Sequence, residues 1–489
     1  LSGSGIVWAS RRVDWGVAAA LGLTGALALA IALLPLTWST LLVVASVVLV
    51  ASLVQPKVGL LLVMPSVPFG SLRQVSVGVM SVGVTEALVA LVLVAWLMRR
   101  VARRCGRLKL PPLVLPLVAF LVALFLSLLT TSSLQHSIKE IVKWVEVLVL
   151  YVLVYNEVEG RWTRAVVFVA LGTGALAALQ GIYQFLFRVG PEEFILFGRF
   201  MRAYGTFEQP NPYAGYLGLG LPLAVGLALA PVTPSAKRVG GRWLLWAAGC
   251  GAMMLTALVM SWSRGAWLGF GAAIAGLIIA VAARSGRVMA LGLVFAVLAG
   301  YVLVAGGVAL VPPSIVQRFA DFVPYLGVTD VRGVEVTDAN FAVLERMAHW
   351  QSALDMWTDK PWLGVGIGNY EPVYASYALP QWPLPLGHAH NYYLNIAAEA
   401  GLVGLVAYVS LWGMALLQAW RAARRATGWR LGVALGVLGM LIHLCVHSFF
   451  DNLYVHGMYL HVAVLLGIRT TEDRVACLAR SVPASGRSD

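Results

Sequence analysis

Apolar stretches of about 20 residues recur from Val17 to Ile468 with short polar breaks between them. A helix rising roughly 1.5 Å per residue needs about that length to cross a hydrocarbon core. The pattern predicts spans over residues 16–34, 37–54, 57–69, 84–98, 112–129, 141–155, 165–187, 213–230, 243–260, 266–283, 289–311, 394–418, 431–450 and 455–468. Runs such as Leu41 to Leu53 and Leu291 to Val311 do not alternate, which argues against the strands of a transmembrane barrel. The expected fold class is all-α, a polytopic integral membrane protein of about 12–14 transmembrane helices. Its expected parts are an N-terminal bundle over 1–311, an extracytoplasmic loop with short amphipathic helices over 312–393, and C-terminal spans with a short cytoplasmic tail over 394–489. The 57–69 span is the weakest, because Pro65 and Pro68 break a helix unless neighbouring protein satisfies the freed backbone groups.

Composition agrees. Of 489 residues, 60% are hydrophobic and 12% charged, against roughly 25% charged in an ordinary soluble domain, so a soluble globular enzyme is excluded. A net charge of +13 raises the question of nucleic acid. The basic residues, however, gather in alternate short connections: Arg99, Arg100, Arg103, Arg104, Arg107 and Lys109; Arg161 and Arg164; Lys237, Arg238 and Arg242; Arg284 and Arg287; Arg421, Arg424, Arg425 and Arg430. That is the positive-inside pattern, so the charge reports orientation and the expected partner is the lipid bilayer, with no nucleic acid. Both termini are then cytoplasmic and the 312–393 loop lies outside. Cys105, Cys250, Cys445 and Cys477 fall in apolar spans or basic stretches, so no disulfide framework is expected. Leu1 to Gly5 shows no cleavable signal pattern and is expected to play no functional part.

The outer loop is where chemistry is expected. Arg346 to Trp357 carries Met347, Trp350, Leu354 and Trp357 at spacings of three and four, which predicts an amphipathic helix on the membrane surface or over a cavity. Pro361, Gly364, Gly366 and Gly368 end it, and a proline-rich stretch leads to His388 and His390 at the mouth of the next span. Arg202, Arg264, Arg346 and His390 each put a charge or a titratable ring at the outer membrane edge. For Arg264, in a tight turn between two apolar spans, the alternative is an interfacial anchor snorkelling to lipid phosphate; for Arg202 it is loop scaffolding. Imidazole accepts a proton near neutral pH, which suits His390 to general base work. His388 and His390, two apart, share one side of an extended segment. No Cys and no compelling carboxylate set accompanies them, so no metal site and no cofactor are expected. Glu399 is a further intramembrane carboxylate suited to orienting a base or substrate, and His443, His447, Asp451, His456 and His461 form a second polar group. Arginines hold a diphosphate bidentately and stabilise the charge of its departure, so the set makes chemical sense without Mg²⁺.

At these motifs the chain resembles the O-antigen ligase and O-antigen polymerase superfamily of bacterial membrane glycosyltransferases. The resemblance is carried by Glu140 to Glu146 with Lys143 and Trp144, Arg202 to Asn211, Ser263 to Trp267, Arg346 with Trp350, Pro361 to Asn369, and His390 to Leu394. It implies a metal-independent, inverting transfer from an undecaprenyl-diphosphate-linked glycan donor to a hydroxyl of lipid A core, another glycan or a protein, on the extracytoplasmic face of the bacterial inner membrane. By the same resemblance Arg264 and Arg346 bind the diphosphate, His390 is the catalytic base, and Arg202 and His388 are further substrate-binding positions. Ligase is favoured over repeat-unit polymerase or protein O-oligosaccharyltransferase because the His-Asn motif and the Arg346 helix are complete. A bicarbonate or ion transporter is the reading from another class; against it, the polar residues gather on the outer face and no symmetric pair of broken helices is seen.

Overall fold

The computed structural model describes residues 34–70, 74–77, 80–104, 107–232, 239–284, 313–314, 316, 323–325, 330–337 and 340–481. Its helices are α1 (Leu36–Val54), α2 (Pro56–Gly70), α3 (Val84–Ala102), α4 (Val114–Ser127), α5 (Leu134–Glu157), α6 (Arg161–Phe187), α7 (Pro210–Leu229), α8 (Gly241–Met260), α9 (Arg264–Ala282), α10 (Phe341–Asp359), the single turn α11 (Tyr370–Val373), α12 (Tyr392–Arg425), α13 (Gly428–His447) and α14 (Met458–Ser481). Strand is confined to two small antiparallel hairpins, β1 (Gln74–Val77) with β2 (Met80–Gly83) and β3 (Ile195–Leu196) with β4 (Phe200–Met201). The expected spans over 16–34 and 289–311 lie essentially outside the described residues; every other one falls on a helix. Seven of these, α1, α6, α7, α8, α9, α12 and α13, are long and apolar enough to cross a membrane, so the chain is an all-α polytopic membrane protein.

The centre of the bundle is the α7–α13 pair, whose residues are the most buried among these spans. Small residues allow the approach: a Cβ on Gly226 would stand 2.4 Å from the Gly436 nitrogen, and one on Gly439 would stand 2.8 Å from the Pro222 side chain. Van der Waals packing between close backbones is what holds helices together where lipid is as apolar as leucine. α1 is the opposite case, with Leu41, Val47 and Val50 turned outward as expected of a lipid-facing helix. α2 carries its two prolines near its C-terminal end, and neighbours meet the open carbonyls of its last turn: Thr85 Oγ1 donates to the Ser66 carbonyl at 2.8 Å, and Thr206 Oγ1 donates to that of Pro68.

One break positions the site. Gly401 interrupts α12 with φ 64° and ψ −165°, a conformation open in practice only to glycine. The loop after α10 docks its backbone there. Val365 and Gly366 donate to the carbonyls of Ala398 and Glu399 at 2.8 and 3.0 Å, and Leu402 donates to that of Pro361 at 2.8 Å. A Cβ on Gly401 would lie 2.2 Å from the Trp362 carbonyl carbon, so backbone meets backbone with no room for a side chain. Asn369, fully buried, fastens the far end of this loop to the α4–α5 connection through Thr131, the Ser133 amide and Ser137. The loop after α10 is thus anchored at a break in a membrane helix.

Candidate active site

The two histidines stand on the short segment between this anchored loop and α12. Asn391 caps the helix, its Oδ1 accepting from the amides of Tyr393 and Leu394 at 3.0 and 3.2 Å. His390 just before it has φ 52°, an uncommon backbone for a residue with a Cβ and one that clusters at functional sites. The segment is therefore not the extended one the spacing suggested, yet the rings do meet, with centroids 4.5 Å apart. Both face Asp451, in the connection after α13: His388 Nε2 lies 3.6 Å and His390 Nδ1 3.8 Å from its Oδ1.

Hydrogen bonding fixes the tautomer of His388. Its Nδ1 accepts from the His390 amide at 3.0 Å, so in the neutral ring Nε2 carries the proton and points it at Asp451. Burial, then His390, push the His388 pKa down to about 4, with Asp451 opposing and Arg346 adding. Burial acts to raise the Asp451 carboxyl, but His390, followed by His388 and His447, overcomes it and holds the group well below the usual carboxylate range. At neutral pH the site therefore contains an ionised Asp451 and a neutral His388. Both nitrogens of His390 are buried and make no hydrogen bond within the protein. With Nδ1 toward Asp451, its Nε2 is the lone pair left to accept a proton.

α10 supplies the facing wall, and here the sequence expectation is corrected. The helix is present, but its buried face is Leu344, Ala348, His349, Ser352, Ala353 and Met356, whereas Leu354 is 40% exposed. Small residues and a histidine line the inward side because the wall packs on rings. His349 stacks on Tyr374 with centroids 4.9 Å apart, meets His390 edge-on at 5.7 Å, and shares a 2.8 Å hydrogen bond between Nδ1 and the Tyr370 hydroxyl. Burial, then His390 and His388, lower its pKa to about 4. Arg346 stands one helical turn before His349 on the same side, half-buried, and its charge is felt at His388. Burial raises the neighbouring Glu345, with His390 and Arg346 opposing.

Arg264 opens α9, after a turn held by several bonds. Trp262 adopts φ 54°, Ser263 N donates to Ser261 Oγ at 3.3 Å, and Trp267 Nε1 donates to the Leu258 carbonyl at 2.9 Å. Gly265 brings this turn against the connection that bears Asp451: a Cβ there would stand 2.7 Å from Phe450 and 3.0 Å from His447. Arg202 braces it from the other side, Nε donating to the Ser261 carbonyl and Nη2 to Asn211 Oδ1, both at 2.9 Å. The start of α12 joins the same connection through the Tyr392 amide, which donates to the Ser448 carbonyl at 2.8 Å. Residues 447–451 are thus the hub on which the segments bearing Arg264, His390 and Asp451 converge.

Other polar residues sort differently from the sequence reading. Glu399 is tied to the backbone of the glycine loop, its Oε1 accepting from the Tyr370 amide at 2.9 Å, and so holds that loop rather than a base. Asp451 leaves the second polar group to join the first, while His443 and His447 pack beside Gly218, Gly265 and Gly269 inside the bundle. His461 lies against Tyr216 and His456 against Phe207. His388, His390 and Asp451 each offer one ligand atom within 4.8 Å of the others. The carboxylate the sequence did not show beside the histidines is supplied across the fold. The bond at His388 Nδ1 commits its Nε2 proton toward Asp451, which fits an orienting pair better than two metal-binding lone pairs.

No curated protein matches the chain. Residues 249–409 match the family described as O-antigen ligase, about one third of the sequence. The match takes in Arg264, Arg346, His388 and His390 and leaves Arg202 and Asp451 outside it. Residues 249–409 of this polytopic membrane protein are thus similar to the O-antigen ligase family, which points to glycosyl transfer of the ligase and polymerase kind.

Proposed function

We propose that the protein transfers a glycan from an undecaprenyl-diphosphate carrier to an acceptor hydroxyl at the extracytoplasmic face, with His390 as base, Asp451 orienting it, and Arg264 and Arg346 holding the diphosphate. The observation that carries the reading is His390 itself: a half-buried ring whose two nitrogens are buried and unbonded, with Nδ1 toward an ionised carboxylate and Nε2 left over. The acceptor oxygen attacks the anomeric carbon from the side opposite the diphosphate and inverts it. Its proton passes to Nε2, while the bond to the diphosphate oxygen breaks and that oxygen takes the electron pair. Asp451 stabilises the imidazolium that forms, and the 3.8 Å separation shortens as the ring becomes charged. Planar guanidinium groups bind two phosphate oxygens at once and stay charged, so Arg264 and Arg346 supply the compensation a divalent ion would otherwise bring. His388, held to the same carboxylate, lines the acceptor side. Arg202 keeps the Arg264 turn in place. The same site serves ligation or polymerisation, and lipid A core, another glycan or a protein side chain can present the hydroxyl; the complete His-Asn motif and Arg346 helix favour ligation.

The test is transfer by the purified, reconstituted protein from an undecaprenyl-diphosphate-linked glycan, in EDTA, with products sized. One added block is the expected product, and a ladder would reassign the enzyme as a polymerase. Transfer abolished by EDTA and restored by a divalent ion would overturn the arginine-only account of the donor site.

A further inference from the structure

At the other end of α12, roughly 40 Å of helix from Tyr392 to Gln418, the protein has an arginine-lined cavity. It encloses about 480 Å³ between Pro112, the last turns of α12, the start of α13 and α14, and four arginines line it: Arg421, Arg425, Arg430 and Arg469. Asp473 is the acidic residue of that lining. Glu472 lies behind it, 3.5 Å from Arg430. Formal charge in and beside the cavity is therefore positive with both carboxylates included.

Arginines at a helix C-terminus are often there for the backbone, and some in this region are. Arg284 donates to the carbonyls of Ala423 and Ala426 at 2.5 and 2.8 Å, and Arg424 donates to that of Ala283, so these two tie α9 to the turn between α12 and α13. The arginines on the cavity rim are arranged otherwise. Arg421 and Arg425 stand exposed one turn apart on its rim. Arg469 is 2% exposed; its Nη1 donates to the Gln418 carbonyl and to Asp473 at 3.1 and 3.0 Å, and its Nη2 reaches Gln418 Oε1 at 3.3 Å. Its Nε is buried without a hydrogen-bond partner. Four guanidinium groups around one lining carboxylate leave a surplus of positive charge that an anion in the cavity offsets.

We propose that this cavity binds a phosphate-bearing anion of charge about −2, with Arg469 at its floor and Arg421 and Arg425 at its mouth. It lies among the basic connections that the positive-inside pattern places in the cytoplasm, and basic pockets between membrane helices on that side suit anionic headgroups. A lipid headgroup and a free phosphate share the chemistry. The site is separate from the glycan-transfer reading and stands or falls without it.

The test uses the full chain in phosphatidylcholine nanodiscs, titrated with inorganic diphosphate in one arm and dioctanoyl phosphatidic acid in the other, on wild type and on the Arg421→Gln/Arg425→Gln variant. Both changes are on exposed side chains, and an unchanged thermal midpoint shows that the variant is folded. Saturable binding of either probe, weakened at least ~10-fold in the variant and by raised salt, is the expected result. Saturation by diphosphate assigns a soluble ligand; saturation by the lipid alone assigns a headgroup. If neither probe saturates, or if wild type and variant bind alike, the proposal is overturned.

Discussion

α12 has a charged site at each end, and the two differ in kind. At the N-terminal end an ionised Asp451 faces two imidazoles, with a third, His349, behind them and Arg346 on the adjacent turn. At the C-terminal end four arginines meet Asp473 with no imidazole among the lining. Arginine does not titrate in the accessible range, so that cavity is suited to holding an anion and unsuited to moving a proton. Imidazoles beside a carboxylate are suited to moving one. The backbone follows the same division: residues at and around the histidine site take uncommon positive-φ conformations, at His390 and Trp262, and the loop there is anchored at the α12 break, whereas α12 runs to its C-terminal end as ordinary helix. Charge density alone does not mark a catalytic site; titratable groups held in strained backbone do.

The sharpest way to break this comparison, after loss of the base itself, is Asp451→Asn. The amide leaves the shape intact but removes the charge that favours imidazolium, and transfer should fall by about 10²–10⁴-fold with donor affinity kept. Loss of donor binding in step with rate would make Asp451 a structural residue instead. Next in size is Arg264→Lys, or Arg346→Lys, where a point charge replaces a bidentate fork; donor KM should rise about tenfold or more, and an unchanged KM would remove that arginine from the diphosphate site. Acidity has a smaller effect, with a definite sign. His349 and His388 titrate near 4 in the folded protein against 6.5 unfolded, so the unfolded chain binds more protons between those values. Stability is complete above pH ~6.5 and is lost as pH falls toward 4. Thermal midpoints at pH 7.5 and 5 should show the drop, and His349→Gln should reduce it; a midpoint that rises on acidification would contradict the buried neutral assignment. The smallest effect belongs to the other end of the helix, where Arg421→Gln/Arg425→Gln should leave glycan transfer within about twofold if the two ends are independent.

The spans were legible because apolar length is a local property; most described helices end close to where hydropathy put them, while α5 starts 7 residues earlier and α12 and α14 run 7 and 13 residues further, through polar turns that hydropathy does not count. Even the proline-bearing α2 was visible, though the hydroxyls of Thr85 and Thr206 that complete its end come from distant positions. The site was legible only in part. Its arginines and histidines stood out by charge at the membrane edge, but Asp451 is 61 positions beyond His390 and only the fold brings them together. His349 was hidden by the neighbouring tryptophans, whose spacing suggested the opposite face of α10. The role of Gly364, Gly366 and Gly401 was invisible because it consists of backbone touching backbone, which leaves no trace in side-chain pattern.

The central claim is that His390 takes the acceptor proton and contributes little to holding the donor. Its most direct test is a single-turnover transfer with undecaprenyl-diphosphate-linked glycan already bound, comparing wild type with His390→Ala while donor affinity is measured on the same samples. Donor affinity within about threefold and a transfer rate reduced at least ~100-fold are the expected results. Transfer at near wild-type rate from the bound donor would contradict the claim.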